Sequence, residues 1–149
     1  MPEIKSSYYI AHVGNLCSIF DQYILSHNGV KARDVEYKAI YDPEIVENRK
    51  LKLTPSGHSL WDFANLYFQP CNPMLYRVVH NQCLKDNIVV QGLQPRILEL
   101  PGAYITDGNA ENTATDFYTH RLPPVSRPER SMRWSRPVVH LVFHSLPKC

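Results

Sequence analysis

At 149 residues, with 44% hydrophobic and 20% charged residues, the chain has the composition of one soluble folded domain. It is long enough to bury about two thirds of its surface, and this composition excludes a disordered chain. The formal net charge of +2 argues neither for nor against a charged partner until its distribution is read.

Residues 1–119 carry ten Lys/Arg against thirteen Asp/Glu, whereas residues 120–149 carry six Lys/Arg against the single acid Glu129. A basic tail suits a polyanion such as nucleic acid. Charge alone favours a solvated surface segment. The opening Met1-Pro-Glu-Ile-Lys5 lacks an apolar signal core, and no run of about 18 apolar residues occurs. A cytoplasmic location is expected, with no membrane partner. Cys17, Cys71, Cys83 and Cys149 fit that location as free thiols. His80 and Cys83 have ligand-like spacing but no second pair, so no metal is expected. His140 and His144 lack the intervening glutamate of a zinc-hydrolase motif.

Twelve prolines against six glycines point to short elements joined by loops. Residues 7–13 alternate and are rich in β-formers, which predicts a first strand. Asn15 has the chemistry of a helix N-cap, and Leu16, Ile19, Phe20 and Tyr23 follow at helical spacing, expected to face the core. Ser26-His27-Asn28-Gly29 reads as a turn. Pro43 opens a short helix over 43–50, at a position where its missing N–H costs nothing. Thr54-Pro-Ser-Gly57 is a loop. Residues 63–68 read as a short buried strand, 70–73 as a turn, and 73–79 as the start of a helix. Another strand is expected over 87–93. One more, over 103–106, is ended by Asp107-Gly108. Residues 110–118 predict a helix, 122–137 a loop with four prolines and four arginines, and 138–143 a terminal strand. The sum is a small α+β domain over 1–149.

Four blocks carry more information than these elements. Leu60-Trp-Asp-Phe-Ala-Asn-Leu-Tyr-Phe-Gln-Pro-Cys-Asn-Pro-Met-Leu-Tyr76 sets a buried run directly against a proline-flanked turn and an apolar helix start. It resembles the D-Y-V-P-F-Y-F-x-P-x-S-P-M-L-Y signature of the DarT-type DNA ADP-ribosyltransferase toxins. Tyr8-Tyr-Ile-Ala-His12-Val-Gly-Asn15-Leu, with Ile24-Leu-Ser-His27-Asn28 after it, is similar to that family's Y-H-I-T-H-x-x-N-L…L-x-H-N opening. Ile45-Val-Glu-Asn-Arg49 stands upstream of the signature, and Tyr104-Ile-Thr106-Asp107-Gly-Asn109-Ala with Phe117-Tyr118 resembles F-x-F-T-D-x-H/N-A…F-Y. The order and spacing of the four blocks make the resemblance specific over about residues 8–118.

The resemblance implies an ADP-ribosyltransferase-like domain. Its reaction would move ADP-ribose from NAD, as co-substrate, to a base in single-stranded DNA, the work of a glycosyltransferase toxin paired with a macrodomain antitoxin. Such a site needs a fixed cation, flat walls and hydrogen bonds to the nicotinamide amide. Arg49 is the implied cation and catalytic residue; its alternative is a surface arginine paired with Glu47 or Asp42. Tyr9, Ile10, Ala11, His12, Asn15, Ser18, Leu25, Tyr67, Met74 and Tyr76 are the other implied NAD contacts. A satisfied histidine, a plain helix cap and simple core packing are the alternatives for His12, Asn15 and Met74. Asn109, Arg130, Arg133 and Trp134 are the implied DNA contacts.

The family also places a glutamate at the entry to a late strand, in an R-Q-A-E-F-L-V pattern. Here Glu129 lies between Pro128 and Arg130, and residues 138–143 carry no acid. Two expectations follow: a chain truncated or frame-shifted after about residue 118, or a divergent member that lost the acid. A non-catalytic remnant that binds NAD or nucleic acid is the alternative function. An unrelated nucleic-acid-binding module that uses the basic tail is a third.

Overall fold

The computed structural model describes residues 5–81 and 85–119. The calls that fall on 122–137 and 138–143 lie outside them. The architecture is α+β; the described residues form four short α-helices and four short strands in antiparallel pairs. The order is β1 (Ser7–His12), α1 (Leu16–Gln22), α2 (His27–Ala32), α3 (Pro43–Leu51), α4 (Pro73–Asn81), β2 (Ile88–Leu93), β3 (Ile105–Thr106) and β4 (Phe117–Tyr118).

β1 organises the rest. One edge pairs with β2 in a register running from Ser7 opposite Leu93 to His12 opposite Ile88. The other edge is bridged at one point, Tyr8 opposite Tyr67, by hydrogen bonds of 2.7 and 2.8 Å. With neighbours on both edges, β1 sends alternate side chains to opposite faces. Tyr9 packs on a core of Leu66, Ala103 and Ile105, and Ile10 belongs to a second core with Ile40 and Val78. A third cluster joins Phe63 and Tyr104, with Phe117 packed against it.

The helices start where the sequence offers caps. Asp42 accepts the Glu44 N–H at 3.0 Å and Pro43 follows, which begins α3. Asn72 accepts the Leu75 N–H at 3.0 Å ahead of α4, which turns Met74, Leu75 and Val78 to the core at helical spacing. The turn expected at 26–29 is instead the start of α2. Ser26 accepts the Gly29 N–H at 3.0 Å and so acts as an N-cap.

Other expectations are corrected. Residues 63–68 are largely buried but form no strand: Phe63, Ala64 and Leu66 pack inside, Asn65, Tyr67 and Phe68 are partly exposed, and Tyr67 alone makes a bridge. Three buried residues without period-two alternation are held by packing rather than by a ladder. The helix over 110–118 does not form. Asn109 Oδ1 takes the Glu111 N–H and Asn112 Oδ1 takes the Ala114 N–H, so side chains capture donors that a helix would use. The segment returns as β4, paired with β3. Phe20 and Tyr23 do not face the core. They are 74% and 47% exposed; α1 buries no residue fully, and it ends where Tyr23 adopts φ 68°. Asn15 makes no capping bond; its amide instead clamps the Lys38 main chain, accepting at 2.8 Å and donating at 2.9 Å.

Leu66 is 1% exposed at the join of β1 and the first core. Leu66→Ala is expected to cost about 2–5 kcal/mol of unfolding free energy, read by urea denaturation. A loss under about 1 kcal/mol would show that this residue does not anchor the segment.

Candidate active site

A cavity of about 450 Å³ opens between β1, α3, the start of α4 and the irregular segment 60–67. Its walls are aromatic and aliphatic, with Tyr9, Tyr37, Tyr41, Trp61, Phe63 and Tyr67 among them. Nine of the implied NAD contacts line it together: Tyr9, Ile10, Ala11, Asn15, Ser18, Leu25, Arg49, Tyr67 and Met74. Asn109 lines it as well.

Two of the implied contacts are elsewhere. His12 is buried and uses Nδ1 to accept the Gly14 N–H at 2.9 Å, capping the turn that leads into α1. Tyr76 is 66% exposed on the outer side of α4, where it stacks on His80 over a separate shallow depression. α4 can present only one flank to the core, and Met74, Leu75 and Val78 occupy it. Arg130, Arg133, Trp134 and Glu129 lie outside the described residues, as does the late strand.

Arg49 projects from the last turn of α3 and donates through Nη2 to Asn65 Oδ1 at 2.5 Å. The acids weighed as its partners are engaged with others. Glu47 meets Lys50 at 3.6 Å, and Asp42 meets Arg77 at 2.6 Å. Among the described residues Asp42 is the one carboxylate of the lining. Burial lowers the Arg49 pKa, while the Tyr67 hydroxyl and Glu111 act in the opposite sense. The cavity therefore holds a partly dehydrated guanidinium beside a neutral amide.

Three of the tyrosines around it, Tyr9, Tyr41 and Tyr67, hold their protons more tightly than a free tyrosine. Burial pushes Tyr67 up to about 12; Arg49 acts against this and Tyr9 adds to it. The Tyr67 hydroxyl donates to Met74 Sδ at 2.7 Å. Burial also raises Tyr9, with a smaller contribution from Tyr37. Tyr41 is lifted to about 12 by burial and by its hydrogen bond with Tyr37.

Trp61 fixes α3 against the signature segment. Its indole Nε1 donates to the Val46 carbonyl at 2.6 Å. His27 packs at 4.1 Å between ring centroids, and the Lys31 and Lys50 ammonium groups sit 4.3 and 5.0 Å from the indole centre. Burial and nearby Lys31 lower the His27 pKa, and Glu47 acts the other way. Asn65, Tyr37, Tyr41, Trp61 and Arg77 were not legible as site residues. For Asn65 the available signal was a polar residue inside an otherwise apolar run.

The family described as "ssDNA thymidine ADP-ribosyltransferase, DarT" matches residues 8–124. The chain belongs to the DarT family. It is 39% identical over 117 residues to a DNA ADP-ribosyl transferase–DNA ADP-ribosyl glycohydrolase fusion protein of Thermosipho africanus. It is also similar to the solved Thermosipho africanus DarTG in complex with ADP-ribose, with TM-score 0.82, 34% identity and 95% of this chain covered. The Thermus sp. 2.9 DarT in complex with ADP-ribosylated ssDNA shares the fold at TM-score 0.73 and 21% identity, over 98% of this chain and 78% of that one. The chain spans 30% of the length of the fusion protein and 41% of the solved DarTG chain. All four blocks read from the sequence fall inside the DarT match. Among the described residues no cluster of three or more His, Cys, Asp or Glu could hold a metal, and no helix is long and apolar enough to cross a membrane. Cys17 and Cys71 are free and exposed.

Because the Tyr67 pKa lies near 12 in the fold against an ordinary 10.0, its contribution to stability is complete below about pH 10 and is lost as the pH rises through about 12. Thermal melting between these limits is expected to fall more steeply for the wild type than for Tyr67→Phe. Equal slopes would mean that Tyr67 ionises as freely as in the unfolded chain.

Proposed function

We propose that this DarT domain transfers ADP-ribose from NAD to a base in single-stranded DNA, thymidine by the family description. The observation that carries the reading is the guanidinium of Arg49, held at the cavity wall among Tyr9, Tyr67 and Asn65 within the blocks that match the family.

The donor set fits NAD. A dinucleotide brings an anionic pyrophosphate, a planar amide-bearing ring and apolar ribose faces. The cavity offers a fixed fork of donors, aromatic walls and a strand edge. Successive residues of β1 point their main-chain groups to opposite edges. Ile10 therefore shares the edge on which Tyr8 meets Tyr67, and it lines the cavity. Its peptide groups are suited to the nicotinamide amide. When bound, NAD supplies an ADP-ribosyl group whose bond from ribose C1′ to nicotinamide can break, with the electron pair leaving on nicotinamide. Arg49 holds the anionic portion and keeps positive charge in place throughout. Neutral Tyr9 and Tyr67 flank the site without adding negative charge. The apolar lining limits water, the competing acceptor at C1′.

Asn109 borders the cavity at the start of the loop between β3 and β4, and it is assigned to the acceptor base. Arg130, Arg133 and Trp134 are assigned to the strand, the arginines following phosphates and the indole stacking on a base. The glycohydrolase fused to the transferase in the Thermosipho africanus relative supports a toxin role opposed by an enzyme that removes the mark; a macrodomain antitoxin and a cytoplasmic location belong to the same reading.

The test is the intact mass of a mixed-sequence single-stranded oligonucleotide after incubation with protein and NAD. Addition of one ADP-ribose is expected with the wild type. Arg49→Ala is expected to lower the rate at least about 100-fold, the usual cost of one charge-stabilising group. Equal labelling by Arg49→Ala would remove Arg49 from the mechanism. No labelling, with NAD still raising the melting temperature, would favour the NAD-binding remnant.

A further inference from the structure

Between α2 and α3 the chain runs as a strap that is neither helix nor strand. Every residue from Tyr37 to Tyr41 lines the cavity, so the strap forms one of its walls. Among the described residues, the main chain of 36–41 makes two hydrogen bonds, and both go to the side chain of Asn15. The Lys38 N–H donates to Asn15 Oδ1 at 2.8 Å, and Asn15 Nδ2 donates to the Lys38 carbonyl at 2.9 Å. Both main-chain groups of Lys38 thus face Asn15, as the two groups of one strand residue face one edge. A side-chain amide carries an acceptor and a donor side by side, so it pairs with that edge as a neighbouring strand would.

The turn that carries Asn15 is itself fixed. His12, opposite Ile88 at the end of β1, accepts the Gly14 N–H through Nδ1 at 2.9 Å. The absence of a side chain at Gly14 leaves room for the Lys38 stem, since a Cβ there would stand 3.3 Å from Lys38 Cδ. The strap has its own anchors toward the ends. The Val35 N–H donates to the Val30 carbonyl at 3.1 Å, and Ile40 is buried in the second core. The hydrogen bond between the Tyr37 and Tyr41 hydroxyls joins the strap only to itself. Its middle is left to Asn15.

We propose that Asn15 is a positioning residue whose amide holds the strap 36–41 against the cavity, so that the strap retains a bound dinucleotide. This rests on the reading of the cavity as an NAD site. A loosened strap does not obstruct entry but no longer confines the ligand, so the loss falls on dissociation. Asn15→Ala removes both bonds. Asn15→Asp keeps the acceptor for the Lys38 N–H and loses the donor to its carbonyl.

The experiment has two arms, run on variants whose melting temperatures match the wild type. The first uses NMR without nucleotide to follow amide hydrogen exchange at Lys38 and backbone order over 36–41. Asn15→Ala is expected to speed exchange at Lys38 about tenfold, the scale of two net hydrogen bonds, and to lower the order of the strap while β1 and β2 keep theirs. Asn15→Asp is expected to fall between wild type and Asn15→Ala. Unchanged strap signals in Asn15→Ala would overturn the hold. Loosening shared with β1 and β2 would mean a merely structural role and overturn the proposal, and Asn15→Asp no better than Asn15→Ala would overturn the paired clamp. The second arm measures NAD association and dissociation by surface plasmon resonance. Asn15→Ala is expected to release NAD about tenfold faster with little change in association. Faster release with an ordered strap would make Asn15 a direct NAD contact only, and a loss confined to association would contradict retention; either overturns the proposal. Absence of NAD binding in the wild type would overturn the reading of the cavity and the retention with it, and the NMR arm would still decide whether Asn15 holds the strap.

Discussion

The two hydrogen bonds between Tyr8 and Tyr67 are the constraint on which the rest depends. β1 has a full ladder on one edge, with β2, and this single bridge on the other. A two-stranded sheet is marginal by itself. Here the missing third strand is replaced by an irregular buried segment pinned at Tyr67. That pin sets Leu66 into one core and Tyr67 against the other. It also places Asn65 beside α3 and directs the chain into the Asn72 cap of α4. The cavity is the space left between the pinned segment, β1 and α3.

α3 depends on this segment more than on its own amphipathicity. No residue of α3 is fully buried. Its attachments are polar and specific: Trp61 to Val46, Ser59 to Lys50, and Arg49 to Asn65. Such bonds contribute about 1 kcal/mol each in net terms, more where a charge takes part. Their larger effect is geometric, since a helix tied at three points along one side cannot rotate its arginine away from the cavity. The candidate site and the packing of α3 therefore share residues here. The signature block that identifies the family is also the block that completes the sheet.

Much of this was legible in the sequence. The strand at 7–13, the helices from Pro43 and Pro73, and the strand at 87–93 follow from alternation and proline placement, which act locally. Arg49 and the main-chain stretch 9–11 were legible from motif order, and nine of the implied NAD contacts share one cavity. What failed to show was set by tertiary context. Asn15 has cap chemistry, but a Lys38 peptide group 23 residues away competes for its amide. The 110–118 segment has helical spacing, but Asn109 and Asn112 bind neighbouring N–H groups first. Phe20 reads as core and is exposed, on a seven-residue helix that buries none of its residues fully. Asn65 reads as a break in an apolar run and becomes the acceptor for the arginine.

The central claim is that the cavity between β1, α3 and segment 60–67 is where NAD binds. A crystal structure of the protein soaked with NAD tests it most directly. The account expects electron density for the dinucleotide bounded by Tyr9, Arg49 and Tyr67, with a phosphate or amide oxygen within hydrogen-bonding reach of the Arg49 guanidinium. Density elsewhere, for example against Tyr76 and His80 on the outer side of α4, with the cavity holding only water, would contradict it.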